Sequence, residues 1–413
     1  MSRKLYIYFD DAEFCDAPVR LGELYAEPIR GKEVFSFAFD PSWIKNPCCK
    51  MLDPDLQLFK GFQYLDEGKS DFGIFMDSSP DRWGRVLLDR RESMMARMEQ
   101  RTIRPLMESD YLTGVYDESR MGALRIKDDE KGEFLDNDVN YSAPPFSSIR
   151  ELEYASMELE KNEGTEGNKW LKMLIAPGSS LGGARPKANV KDESGHLWIA
   201  KFPSRNDKYD IGGWEAVCMT MAKECGISVS EFTARKFNSN NHTYICKRFD
   251  RREDNRRRHF TSAMTMLGYN DGAAGVSYLE LAEWICRNCC NVKRNLQELF
   301  RRIVFNIAIS NCDDHLRNHG FLLSRQGWEL SPAYDINPDP HGTGLSLNIT
   351  ENDNRLDIEL AKEIAPFIEI SPTEADMIIN HTAKVVARWR HIASVYHIPR
   401  EEQDRMERAF MRL

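Results

Sequence analysis

The chain has 413 residues, of which 41% are apolar and 29% charged, a balance that suits a folded globular protein and excludes a disordered one. A formal net charge of −9 argues against DNA phosphates being bound over the whole surface. Ten cysteines in so long a chain do not make a disulfide scaffold, so reduced thiols in a cytoplasmic protein are expected. No apolar run approaches the ~20 residues of a membrane helix, and the first residues lack the apolar core of a secretory signal.

In chain order, "KLYIYF", "VRLGELYA" and "EVFSFAFD" alternate as strands do and predict a small antiparallel sheet. "SPDRWGRVLLDRRE" predicts a helix running to about Arg101, with Ser79 as its N-cap and Pro80 at the first position. The polar, proline-bearing stretch 130–148 reads as a linker. Helical patterns follow in "SIRELEYASMELEK" and "NKWLKMLI", and break at Pro177-Gly178. Four strands come next ("KANVKD", "HLWIAKFP", "EFTARKFN", "HTYICKRF"), with the helix "GWEAVCMTMAKECG" among them. Beyond "RREDNRRRHF" helices dominate, over 277–290, 294–309, 372–396 and 400–412, with a strand-rich interruption near 318–335. The expectation is an α+β chain with a β-rich N-terminal half and an α-dominated C-terminal lobe. The predicted domains are 1–130, 131–250 and 251–413.

The segment "SNCDDHLRNHGFLL" begins where an apolar helical stripe ends. Asp313 and Asn318 stand in a D-x-x-x-x-N spacing, and "PAYDI" places Asp335 beyond a strand-like hairpin. That is the order of a kinase catalytic loop and its metal aspartate. One aspartate receives the hydroxyl proton, and a sparse Asn/Asp set suits Mg2+ bound to phosphates. The five-residue step selects Asp313, and Asp314 reads as a solvated neighbour. "GSSLGGARPKA" could cradle phosphate oxygens with backbone N–H groups, although it lacks G-K-[ST] and is no Walker A loop. Lys201 in "LWIAKFPS" has the setting of a phosphate-binding strand lysine, and Glu215 in the following helix is a possible ion-pair partner. "YICKRFDR" occupies the connector position. These features together follow kinase order and predict a two-lobed kinase-like fold.

The same residues resemble the HipA-type serine/threonine kinases, toxins of bacterial toxin–antitoxin pairs. The resemblance covers nearly the whole chain. "SPDRWGR" (79–85) with the two residues before it, and "MGALRI" (121–126), are similar to N-terminal signatures of the family, and "SSLGGARPKA" to its phosphate-side loop. "NCDDHLRNHGF" resembles its N-x-D-x-H-x-K-N catalytic loop, with Arg317 where lysine is usual, and "PAYDI" resembles its metal segment. The resemblance implies Asp313 as catalytic base, with His315 in the same loop facing the nucleotide. It implies Asn318 and Asp335 as Mg2+ ligands, and Ser180, Gly182, Gly183, Lys187 and Lys201 on the phosphate side. Lys247 and Phe249 would contact adenine through their backbone, Asp250 would lie near the ribose, and Tyr334 would flank the nucleotide. Ser180 would also be the site of inhibitory autophosphorylation. ATP and Mg2+ are the implied cofactors. The implied partners are a protein substrate bearing Ser or Thr, such as an aminoacyl-tRNA synthetase, and a helix-turn-helix, HipB-like antitoxin through which DNA is reached. No membrane is implied.

Two other readings compete. A metal-dependent hydrolase would gather Asp313, His315, His319, Asp335 and His341 on one tightly bound metal. A non-catalytic scaffold would bind ATP without transferring its phosphate.

Overall fold

The computed structural model describes residues 2–46, 50–66, 68–80, 82–135, 143–161, 167–175 and 183–412. Contacts divide the chain into two compact units, Met1–Arg205 with Lys247–Thr261, and Asn206–Cys246 with Ser262–Leu413. The stretch 131–250, expected as one domain, therefore contributes to both units.

The first unit opens with strands β1 (Arg3–Phe9), β2 (Val19–Ile29) and β3 (Lys32–Phe39), as the alternation predicts. A short helix α1 (Pro41–Ile44) is capped by Asp40, whose side chain accepts the Ser42 N–H. Strands β4 (Phe62–Tyr64) and β5 (Leu124–Lys127) complete a five-stranded sheet in the order β4-β3-β2-β1-β5. Strand β5 pairs antiparallel with β1, Tyr6 opposite Lys127 and Phe9 opposite Leu124. The inward residues Leu5, Ile7, Phe9, Leu24, Phe35 and Phe37 are buried. Phe37 meets Phe72 and Phe75 at helix α2 (Gly73–Ser78), with ring centroids 6.5 and 5.7 Å apart.

Ser79 is not the cap of the next helix. It closes α2 instead, its N–H bonding the Met76 carbonyl. Helix α3 (Arg82–Met98) follows and buries Trp83, Leu87, Leu88 and Met94. Helices α4 (Glu108–Thr113), α5 (Ile149–Lys161) and α6 (Gly167–Ile175) precede the hairpin of β6 (Lys187–Lys191) and β7 (Leu197–Lys201). The linker expected over 130–148 lies partly outside the described residues.

The second unit is built around α7 (Ile211–Glu224), which is apolar nearly all round and therefore central. Its Trp214, Val217 and Met221 share one core with Phe305, Trp389 and Phe410, the last two stacked at 4.6 Å. Strands β8 (Phe232–Arg235) and β9 (Thr243–Lys247) form an antiparallel hairpin. A short strand β10 (Phe260–Ser262) carries the chain across the third boundary between the units. Helices α8 (Ala263–Met266), α9 (Tyr278–Asn288) and α10 (Val292–Ala308) come next. The hairpin β11 (Gly320–Ser324) and β12 (Gly327–Leu330) is the predicted interruption. Helices α11 (Ile358–Ile364), α12 (Pro372–Val386), α13 (Trp389–Val395) and α14 (Arg400–Met406) finish the chain. The α+β class holds, with helices concentrated in the C-terminal half. Among the described residues no helix is long and apolar enough to cross a membrane.

Candidate active site

Helix α10 buries Leu296, Leu299, Phe300, Ile303, Val304 and Ile307, the stripe read from the sequence. The helix is thereby anchored in the core, and the loop that follows starts from a rigid base. Ser310 reverses the chain in the left-handed region at φ 52°, and its hydroxyl bonds the Ala409 carbonyl at 3.0 Å. From there burial alternates: Asp313 is exposed, Asp314 buried, His315 half-buried, Leu316 buried, Arg317 half-buried and Asn318 buried.

A one-turn 3-10 helix, Leu316–Asn318, sets the spacing of the motif. The Asn318 N–H bonds the His315 carbonyl at 2.8 Å, and its amide Nδ2 donates to the Asp313 carbonyl at 2.9 Å. The second bond fixes which way the amide points. Its nitrogen is committed to the backbone, so the oxygen is the atom left for a cation.

After the β11–β12 hairpin the chain returns beside this loop. The Tyr334 hydroxyl donates to the Arg317 carbonyl at 2.6 Å, and the Ala333 N–H bonds the Ser228 carbonyl at 2.8 Å. Asp335 has φ 59°, a left-handed conformation that costs a non-glycine residue roughly 1–3 kcal/mol. Such strain is held by its surroundings and is concentrated at functional sites. The Asp339 N–H bonds the Ser310 carbonyl at 3.0 Å. Gly342 packs so tightly that a Cβ there would lie 2.1 Å from the Cys312 sulfur, one residue before Asp313.

Asp314 is not a solvated neighbour. It is 4% exposed, and its Oδ2 accepts from the Tyr278 hydroxyl, from Asn306 Nδ2 at 2.9 Å and from His319 Nε2 at 2.9 Å. Burial pushes its pKa up, but the charge and hydrogen bond of His319 and the Tyr278 hydroxyl outweigh it and hold the carboxyl below its ordinary value. The sequence reading missed Asp314, Tyr278 and Asn306. A signal existed in Asn306, an amide on the apolar stripe three residues after Ile303.

On the first unit, β6 and β7 place Lys187 directly opposite Lys201. Opposed residues project from the same face, and like charges there repel unless an anion lies between or beside them. Lys187 is 2% exposed and its ammonium donates to the Gly183 carbonyl at 3.1 Å, while Gly183 itself has φ 90°. The Trp83 indole N–H bonds the Lys187 carbonyl at 3.1 Å, tying the "SPDRWGR" signature to this strand. Ser180 and Gly182 lie outside the described residues. Glu215 is buried on α7 in the second unit, whereas Lys201 belongs to the first.

At the connector the side chains are engaged within the first unit. Lys247 bonds both carboxylate oxygens of Glu253 at 2.9 Å, and Phe249 packs on Phe260 at 5.6 Å. Asp250, expected near a ribose, is fully buried. It accepts from Arg248 Nε and Nη2 at 2.8 and 2.7 Å, from Arg251 Nη1 at 2.6 Å and from the Gly122 N–H at 2.8 Å. Burial opposes its ionisation, but the two guanidinium groups prevail and hold its pKa far below the usual carboxylate range. Arg248 also reaches the Ser119 carbonyl and Asn189 Oδ1, both at 2.7 Å. Asp250 is thus a structural clamp joining the connector to the "MGALRI" segment.

Among the described residues no three His, Cys, Asp or Glu side chains gather as a metal-binding set. The converging ligands needed by the hydrolase reading are therefore missing from that part of the chain, and His319 is already engaged by Asp314. One amide oxygen and one aspartate instead suit a hard cation that takes its remaining oxygens from phosphate.

A family model described as HipA-like C-terminal domain matches residues 179–389. A Haemophilus influenzae protein named as a candidate kinase is 29% identical over 182 residues, covering 38% of this chain and 52% of that protein. The serine/threonine-protein kinase toxin HipA of Shewanella oneidensis is 27% identical over 144 residues, 30% of this chain and 33% of that protein. The chain thus matches about half the length of the first relative and a third of the second. Among solved structures, a chain of the Shewanella oneidensis MR-1 complex of HipA, HipB and operator DNA has a TM-score of 0.65 at 17% identity, over 99% of this chain and 95% of that one. The likeness to this solved structure is one of fold. With the family model matching just over half of its residues, the chain belongs to the HipA-type family.

Proposed function

We propose that the protein is an ATP- and Mg2+-dependent kinase that transfers a phosphoryl group to a serine or threonine of a protein. The observation that carries this reading is the bond from Asn318 Nδ2 to the Asp313 carbonyl, which locks the D-x-x-x-x-N pair with Asp313 exposed and the Asn318 oxygen available. Asn318 and Asp335 would hold Mg2+, which when bound offsets the negative charge of the phosphates. Asp313 accepts the proton of the attacking hydroxyl and orients its oxygen toward the phosphorus. Kinship with the family also supports Lys187 and Lys201, opposite one another on the β6–β7 hairpin, as phosphate-side lysines. Kinship supports further parts of the reading: a HipB-like antitoxin as partner, DNA reached through it, and Ser180 as the self-phosphorylated residue.

The experiment is transfer of label from γ-labelled ATP in the presence of Mg2+. Wild type should acquire label, with Ser180 as the expected position, whereas Asp313→Asn and Asp335→Asn should lose it. Undiminished labelling of Asp313→Asn would overturn the assignment of the base. Equal labelling of Ser180→Ala would overturn the modification site and leave the kinase reading standing. ATP binding without any transfer by wild type would favour a scaffold.

A further inference from the structure

We infer that Asp314, which the transfer chemistry does not use, is the positioning residue of the catalytic loop. Its single oxygen Oδ2 gathers donors from three separate elements: Tyr278 at the start of α9, Asn306 near the end of α10, and His319 where the loop enters β11. The chain of bonds continues outward. Asn311 Nδ2 donates to Asn306 Oδ1 at 3.0 Å, and Asn311 Oδ1 accepts the Asn337 N–H at 3.4 Å, two residues past Asp335. One buried carboxylate is therefore connected to both ends of the motif and to the segment that bears the metal aspartate.

The geometry explains why the motif carries two adjacent aspartates. Asp314 is buried on its donors while its neighbour Asp313 is exposed, so anchoring Asp314 inward leaves Asp313 on the solvent side. The anchor sits between Asp313, whose carbonyl accepts the Asn318 amide, and Asn318 itself. The donors to Asp314 are a hydroxyl, an amide and an imidazole, with no lysine or arginine among these three. A buried carboxylate held in this way is costly to disturb, because each donor would lose its acceptor at once. The inference rests on the kinase reading only where it names Asp313 as the group being positioned.

The test uses the full chain and two variants that preserve volume, Asp314→Asn and Tyr278→Phe. The first readout is amide hydrogen exchange over 310–319, where the Asn311 and Asn318 N–H groups are bonded, with α10 as the internal reference. The second is kcat and KM for ATP in label transfer. One weakened buried bond should speed loop exchange by about 10-fold and leave α10 unchanged, and kcat should fall by about 10- to 100-fold with KM within about 3-fold. Asp314→Ala, which has no acceptor, should exceed Asp314→Asn in both readouts, so that the asparagine acts as a partial rescue. Loop exchange equal to wild type in both volume-preserving variants would overturn the inference. So would a rise in KM with kcat unchanged. If wild type transfers no label, the kinase reading fails, and the exchange result alone still decides whether Asp314 positions the loop.

Discussion

Replacing Asp250 by asparagine separates two roles for one residue. The carboxylate accepts four N–H groups, from Arg248 Nε, Arg248 Nη2, Arg251 Nη1 and the Gly122 backbone. Asparagine keeps the shape, removes the charge and turns an NH2 group toward at least one of those donors. Breaking a buried ion pair from one side costs about 3–5 kcal/mol. Arg248 keeps the Ser119 carbonyl and Asn189 Oδ1, which places the loss near the lower figure, about 3 kcal/mol. With a urea dependence of about 1–3 kcal/mol per molar, the unfolding midpoint followed by tryptophan fluorescence should drop by roughly 1–3 M. The folded pKa of Asp250 is depressed, so its stabilisation is present above the unfolded value near ~3.9 and is lost as pH falls through the folded one. Variant and wild type should therefore differ at neutral pH and converge only in strong acid. An unchanged midpoint, together with a raised KM for ATP, would refute the clamp and restore Asp250 to the ribose.

Three further outcomes follow from single residues. Trp83→Phe deletes the bond to the Lys187 carbonyl and should cost about 1 kcal/mol in thermal unfolding while raising KM for ATP more than it lowers kcat. Asp335→Gly keeps the left-handed backbone and should hold or gain stability while label transfer is lost, whereas Asp335→Val should lose about 1–3 kcal/mol, both read by thermal unfolding. Asp210 caps α7 by accepting the Gly213 N–H at 3.0 Å and also accepts the His242 N–H at 2.7 Å, so Asp210→Ala should cost about 2 kcal/mol or more. Burial raises the Asp210 pKa, but the bond from the His242 ring prevails and lowers it. Its contribution is present above the unfolded pKa and lost in acid, and the alanine variant should show a flatter acid limb in stability against pH.

Elements whose pattern is local were legible in the chain itself. Strands β1, β2 and β3 alternate with period two, and α10 repeats apolar residues at helical spacing, so neither needs a distant partner to be read. The step from Asp313 to Asn318 was legible for the same reason, because it is five residues long and closes with a single 3-10 turn, Leu316–Asn318. Strand β5 escaped notice: it is four residues long and becomes a strand only by pairing with β1, more than a hundred residues upstream. The roles of Asp250 and Asp314 were equally hidden. Asp314 reads as solvated and Asp250 as a ribose contact, yet both are buried because backbone and side chains from remote segments bring donors to them. Order and spacing along the chain determined which chemistry the loop could host. Only the tertiary structure decided which aspartates face solvent and which hold the fold, because the cost of burying a carboxylate depends on the donors that distant segments supply.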